Sequence, residues 1–412
     1  MLQRPRNGVI ARSVGLLGPA FVASIAYVDP GNVAANITAG AKYGYLLVWV
    51  LVVANVMAVM VQYQSAKLGV VTGKTLTTTL GERLSRRSRL LFWMQAELVA
   101  GATDIAEVIG GAIALNLLFG LPLPVGGVIV GLVSMLLLAL ANPQRQRQFE
   151  HVIVGLLAVI VIGFLAGLVV SPPDAGGVLN GMVPRFDGTE TVLLAASMLG
   201  ATVMPHAIYL HSSLVIDRHG RPETERRTRR LLSATRVDVV VALVIAGAVN
   251  IALLVLAATS LYGREGTDSI EGAHAAVRDA LGPVVATAFA VGLLASGIAS
   301  TSVGSYAGGT IMNGLVRRQI PMLIRRSVTL VPAVLMLAIG VNPTMALVIS
   351  QVVLSFGIPF AIIPLRRYTA DKRLMGSFAD NPWLRWGSAG AAVVIVALNV
   401  ALIMLTVAGI GD

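Results

Sequence analysis

The sequence predicts an all-α polytopic membrane protein, and three observations carry that prediction. Of its 412 residues, 56% are hydrophobic and only 12% charged, where a soluble domain has roughly 45–50% and about 25%. The apolar residues fall in eleven runs, most of them near the length of about 20 that crosses a hydrocarbon core. Basic residues crowd alternate connections between those runs. A soluble fold has too little polar surface in this composition, and a disordered chain would expose too much apolar surface. With 0 Cys there is no disulfide framework, zinc–thiolate site or iron–sulfur cluster.

The runs lie near 14–40, 44–66, 90–119, 122–141, 149–170, 190–215, 237–260, 282–313, 327–341, 344–365 and 386–409. The first, third, sixth and eighth are long, so each is tilted, broken or extended beyond the bilayer. Arg4, Arg6 and Arg12 precede the first run without a small-residue cleavage site, which reads as an uncleaved first span. One side of the membrane then holds the N-terminus and segments 67–89, 142–148, 216–236, 314–326 and 366–385, with 27 of the 31 basic residues. The other side holds Lys42, Arg185, Arg264 and Arg278. The positive-inside rule places the N-terminus in the cytoplasm, and eleven crossings place the C-terminus outside. All basic residues are expected in loops or at span ends.

That distribution also answers the net charge of +11. The arginines of 218–230 are interleaved with Glu223 and Glu225 and belong to a solvated loop rather than a nucleic-acid surface. The outer connections lean acidic, with Asp174, Asp187, Glu190, Glu265, Asp268, Glu271, Asp279 and Asp412. A weak pull on cations is one reading, and simple tolerance of acids outside is the other.

Two spans are interrupted. The first contains Asp29-Pro30-Gly31-Asn32, where proline removes an N–H and drives its predecessor out of helical geometry. The sixth contains Met204-Pro205-His206. Unwound backbone at membrane depth persists only inside protein or along a cavity. The Ala26 carbonyl, the Asp29 carboxylate and the Asn32 amide oxygen are ligands suited to a cation. Spans one and six are equivalents if the chain is two five-helix repeats, and paired interrupted helices point to the central site of an inverted-repeat transporter. A lone proline kink, a lone Met204 or a lone His206 is ordinarily structural. A carboxylate inside the membrane is costly and functional by default.

Both motifs, with Ala23–Asn32, Gln95–Glu107, Gly200–Ser213 and Ser350–Pro359 around them, resemble the Nramp family of proton-coupled divalent metal transporters, and within it the bacterial manganese-transporting branch. The resemblance covers nearly the whole chain. It implies the LeuT-type fold: a first inverted repeat over 1–171 (spans one to five), a second over 172–365 (spans six to ten), and a loop with span eleven over 366–412. It implies that Asp29, Asn32 and Met204 hold the metal by side chain, with the Ala26 and Ala201 carbonyls and Gln351 contributing. Manganese, iron and cadmium ions are the expected cargo and protons the coupling ion, with no cofactor and no obligatory protein partner. Short loops and the lack of the twelfth helix of many animal members suggest a bacterial inner membrane.

Span three carries Glu97, Asp104 and Glu107, which at 100° per residue share one face. Three buried carboxylates do not all stay charged without partners. A proton relay is the favoured reading, and the resemblance places Asp104 and Glu107 on it, with Asp29 as the first acceptor and His206 tuning the coupling. The competing reading is a structural network with Asp238 and the pair Arg325–Arg326 as counterparts. Among other functions, cation-coupled transport of an organic substrate such as an amino acid is the alternative, which the Asp29 carboxylate disfavours for a carboxylate-bearing cargo. His206 and His211 lack the i, i+4 spacing of a zinc protease, and no P-loop is present. The chain reads as a transporter and not an enzyme.

Overall fold

The computed structural model describes residues 18–138, 146–267, 269–316 and 322–407. Arg4, Arg6, Arg12, the loop residues 142–145, Asp268, Arg317, Arg318 and Asp412 lie outside the described residues.

Within the described residues, each of the eleven predicted spans is helical. The first is split into α1 (Pro19–Ser24), a 3-10 turn (Ile25–Val28) and α2 (Pro30–Tyr43). Span two is α3 (Val48–Thr72), followed by the short connector α4 (Leu76–Arg83). Spans three to five are α5 (Arg86–Phe119), α6 (Leu123–Leu138) and α7 (Gln146–Val170). A short helix, α8 (Ala175–Asn180), leads to the split sixth span, α9 (Gly188–Thr202) and α10 (Pro205–His219). Span seven is α11 (Glu225–Ser260), and α12 (Ile270–Leu281) connects it to span eight, α13 (Pro283–Leu315). Spans nine and ten are α14 (Met322–Ala338) and α15 (Pro343–Ala370), α16 (Lys372–Met375) lies in the following loop, and α17 (Pro382–Val407) is span eleven. Several of these helices run past the bilayer length, with α5 at 34 residues and α11 at 36.

The packing partners repeat under exchange of spans one to five with spans six to ten. α5 packs on α13 and α3 on α11, each pair mapping onto itself. The contact of α13 with α7 matches that of α5 with α15, and α11 on α2 matches α3 on α10. The contact of α9 with α15 matches that of α1 with α7. Small residues allow the closest of these approaches: a Cβ on Gly297 of α13 would press on the Gly111 backbone of α5. Between membrane helices, where lipid is as apolar as leucine, such backbone proximity is what makes the contact favourable.

Charge placement departs from expectation at three basic residues. Lys67, assigned to a loop, lies in α3 and is buried, with Nζ 2.8 Å from Asp380. Arg325 and Arg326 of α14 are 7% and 1% exposed, so basic residues are not confined to solvated ends. Each is buried because it meets an acid there, and an unpaired charge at that depth would be far costlier.

Candidate functional site

At the first break, three successive residues resist a continuous helix. Asp29 is extended, at φ −76° and ψ 166°, as the residue before proline prefers. Pro30 opens α2 at a position where its missing N–H has no partner to lose. Asp29 caps that helix, its Oδ1 accepting the backbone N–H of Asn32 and the Asn32 side-chain amide, both at 2.8 Å. Freed carbonyls are met from neighbouring spans: Asn250 Nδ2 donates to Tyr27 O at 2.6 Å and Ser296 Oγ to Val28 O at 2.5 Å. The second break runs through Val203 (φ −107°, ψ 59°) to Met204 (φ −63°, ψ 122°), where Pro205 starts α10.

The two breaks meet at Asn32. Its Nδ2 donates to the Ala201 carbonyl at 2.8 Å, and Thr202 Oγ1 donates to its Oδ1 at 3.4 Å. From α15, Gln351 Nε2 donates to Asp29 Oδ2 at 3.4 Å. The Gln351 Oε1 is buried without a donor. Approach is tight enough that a Cβ on Gly31 would overlap the Gln351 side chain, and one on Gly200 the Gln351 backbone carbonyl. Ala26, Asp29, Asn32, Ala201, Met204 and Gln351 are all 0% exposed, so the site lies wholly within the protein. α1 and α9 bring carbonyl ends to it, and α2 and α10 bring N–H ends. Asp29, Asn32, Ala201 and Gln351 are therefore linked by hydrogen bonds. Met204 stands buried at the cap of α10, and Ala26 is buried in the 3-10 turn.

The acidic face of α5 divides in two. Glu97 pairs with Arg325, whose Nε and Nη2 lie 2.9 and 2.8 Å from its Oε1. Asp104 pairs with Arg326, at 2.9 Å from Nη1, and Ser134 accepts from Arg326 Nε at 3.2 Å. Among the described residues no basic side chain is bonded to Glu107; both its oxygens are buried, with the Ser300 hydroxyl beside them. It stands within electrostatic reach of both Asp29 and Asp104. His206 places Nδ1 3.5 Å from Thr103 Oγ1, and its Nε2 is unpartnered. Asp238 is not joined to this set. It caps the first helix, accepting from Gly18 N at 3.1 and 3.2 Å and from Ala20 N at 3.0 Å.

No cluster of three or more His, Asp or Glu side chains able to hold a metal occurs among the described residues. The donors at the breaks are of another kind: one carboxylate, two amides, a thioether and backbone carbonyls. The Nramp model, described as natural resistance-associated macrophage protein-like, matches residues 20–405. The chain belongs to the Nramp family.

Similar Nramp proteins include the divalent metal cation transporter MntH of Mycobacterium tuberculosis, 58% identical over 394 residues, covering 96% of this chain and 92% of that one. MntH of Bacillus subtilis is 46% identical, with 95% and 92% covered. A solved manganese transporter of Eremococcus coleocola, in complex with an aromatic bis-isothiourea substituted compound, superposes with TM-score 0.87 at 30% identity, covering 100% of this chain and 90% of that one. A nucleobase-cation-symport-1 family transporter, at 17% identity and TM-score 0.59, shares the fold. The architecture is the LeuT type of the Nramp structures.

Sequence reasoning missed the buried amides that brace this Nramp site. Gln62 Nε2 donates to Tyr27 Oη at 2.6 Å, and its Oε1 lies 2.7 Å from His211 Nδ1. Asn36 Nδ2 donates to Asn250 Oδ1 at 3.0 Å. Polar amides within otherwise apolar spans were the available signal, since each needs a partner at that depth.

Proposed function

We propose that this Nramp protein imports divalent transition-metal ions, Mn²⁺ and also Fe²⁺ and Cd²⁺, across the cytoplasmic membrane in company with protons, by alternating access. One observation carries the reading: two helix breaks meet around a single buried carboxylate among oxygen acceptors. The names of its relatives, divalent metal cation transporters and a manganese transporter, agree with it. Asp29, Asn32 and Met204 are the side-chain ligands, with the Ala26 and Ala201 carbonyls and Gln351 completing the shell. Gln351 Oε1, buried without a donor, is an acceptor that a cation would satisfy. A single Asn32 amide now holds both Asp29 Oδ1 and the Ala201 carbonyl. Turning that amide to present its oxygen frees both acceptors for the ion.

Met204 supplies discrimination. Hard Mg²⁺ and Ca²⁺ prefer all-oxygen shells, whereas Mn²⁺, Fe²⁺ and Cd²⁺ lose less when sulfur replaces water. The proton displaced at Asp29 passes to Glu107, then along α5 by Asp104 and Glu97, with Arg326 and Arg325 holding those two carboxylates and His206 tuning the first transfer. From Glu107 to Glu97 the helix rises about 15 Å, toward the end rich in basic residues. That end faces the cytoplasm by the positive-inside rule. Asp238 belongs to closure of that face, through the first helix, rather than to the relay. The repeat division at 171/172 and 365/366 is supported by the exchange of packing partners.

Proteoliposomes decide the function. A competition series of divalent ions, with and without a pH gradient, is expected to show Mn²⁺ uptake stimulated by an inward proton gradient and abolished in Asp29→Asn. Uptake of amino acids but not Mn²⁺ would refute the metal reading, and Mn²⁺ uptake indifferent to the gradient would refute the coupling.

A further inference from the structure

We propose that the junction of spans ten and eleven is a docking site for anionic phospholipid headgroups. From Arg366 to the end of α17 the described chain carries two acids, Asp371 and Asp380, and five basic residues, Arg366, Arg367, Lys372, Arg373 and Arg385. Both acids are engaged elsewhere in the fold. Asp380 is buried against Lys67 at 2.8 Å and accepts from Gln64 Nε2 at 2.7 Å. Asp371 lies 3.5 Å from Arg83 and caps Arg373 N at 2.9 Å. Arg367, Lys372, Arg373 and Arg385 remain exposed, four cations beside the one part-exposed carboxylate of Asp371, which Arg83 shares.

Two tryptophans complete the surface. Trp383 and Trp386 are 87% and 75% exposed and, three residues apart in the first turn of α17, stand on one helix face. Span eleven must cross hydrocarbon, which puts that first turn at headgroup depth, where indole rings settle. Arg366 Nε donates to the Arg385 carbonyl at 3.1 Å, fixing the end of α15 beside the start of α17. Arg385 lies between the two tryptophans in sequence, and Arg367, Lys372 and Arg373 follow on the adjoining end of α15 and on α16. A zwitterionic headgroup brings its own ammonium to a surface whose exposed cations outnumber its carboxylates, whereas an anionic one does not. Charge complementarity therefore selects phosphatidylglycerol-type lipid. This surface needs neither the transport reading nor a membrane orientation.

The test uses nanodiscs of phosphatidylcholine with phosphatidylglycerol, bromine being placed on the acyl chains of one lipid or the other at equal bromine content. The Trp383 and Trp386 signal is the difference between the parent and Trp383→Phe/Trp386→Phe. Brominated phosphatidylglycerol is expected to quench it about threefold more than brominated phosphatidylcholine, from the pull of several basic side chains near the surface. Arg367→Gln/Lys372→Gln/Arg373→Gln/Arg385→Gln is expected to bring the ratio to one. Raising salt on the parent must do the same, because exposed charges are screened, and this arm serves if the variant does not fold. A ratio of one in the parent, or a preference that persists in the variant or at high salt, overturns the proposal.

Discussion

Arg326 is fully buried on α14, with Nη1 2.9 Å from Asp104 Oδ1. Replacing it by methionine keeps the apolar length of the side chain and removes the charge. What remains is a carboxylate on α5 that is 2% exposed and has lost its counterion. Breaking a buried pair from one side costs about 3–5 kcal/mol, or roughly two to three and a half decades in the folded-to-unfolded ratio at 1.4 kcal/mol per decade. Asp104→Asn should cost a comparable amount by stranding the guanidinium. The double variant, Asp104→Asn/Arg326→Met, strands neither group and should recover most of the loss. Equilibrium unfolding in detergent for the four proteins gives the coupling energy, and a well-placed buried pair requires it to exceed about 2 kcal/mol. Single variants that each lose under about 1 kcal/mol and add in the double would refute the reasoning, because the pair would then behave as a solvated surface bridge.

Five other outcomes follow from the same geometry. Met204→Ala should retain part of Mn²⁺ transport while admitting Ca²⁺ or Mg²⁺; a divalent competition assay checks it, and unchanged exclusion of hard ions counts against the filter. In liposomes loaded with a pH dye, Asp104→Asn should lose proton uptake more than metal uptake, equal losses pointing to a purely structural role. Gly200→Ala, whose Cβ would strike the Gln351 backbone carbonyl, should cost about 1–3 kcal/mol by overpacking. Gly31→Ala meets only the movable Gln351 side chain and should be milder in stability but weaken metal binding measured by calorimetry. Asp238→Asn should loosen the first helix at the basic face; since the chain has 0 Cys, a single cysteine at Ala23 reads this as faster thiol labelling, and an unchanged rate would contradict it.

The eleven spans were legible because a bilayer imposes length and apolarity on contiguous residues, and the two breaks because proline acts on its immediate neighbours. Pairings between distant parts were not. Asp238 reaches Gly18 across 220 residues and Asn250 reaches Tyr27 across 223, separations at which no local pattern reports contact. Arg325 and Arg326 were legible as counterparts of the α5 carboxylates, whereas their burial and the assignment of Arg325 to Glu97 and Arg326 to Asp104 need the packed helices. The connectors α4, α8 and α12 also escaped notice. They are short and partly polar, each opened by one side-chain cap, Thr75, Asp174 and Ser269, a signal that is common in loops as well. At the site itself, residue types announced a cation, whereas the Asn32 bridge between the breaks emerges only once the two halves are brought together.

That bridge also latches the two breaks to one another. Asn32 on α2 donates to the Ala201 carbonyl of α9 and accepts from Thr202, so drawing the breaks apart strips a buried carbonyl and a buried hydroxyl of their partners at one stroke. An undonated acceptor at that depth is costly, and one short side chain therefore couples the movement of the first broken span to that of the sixth.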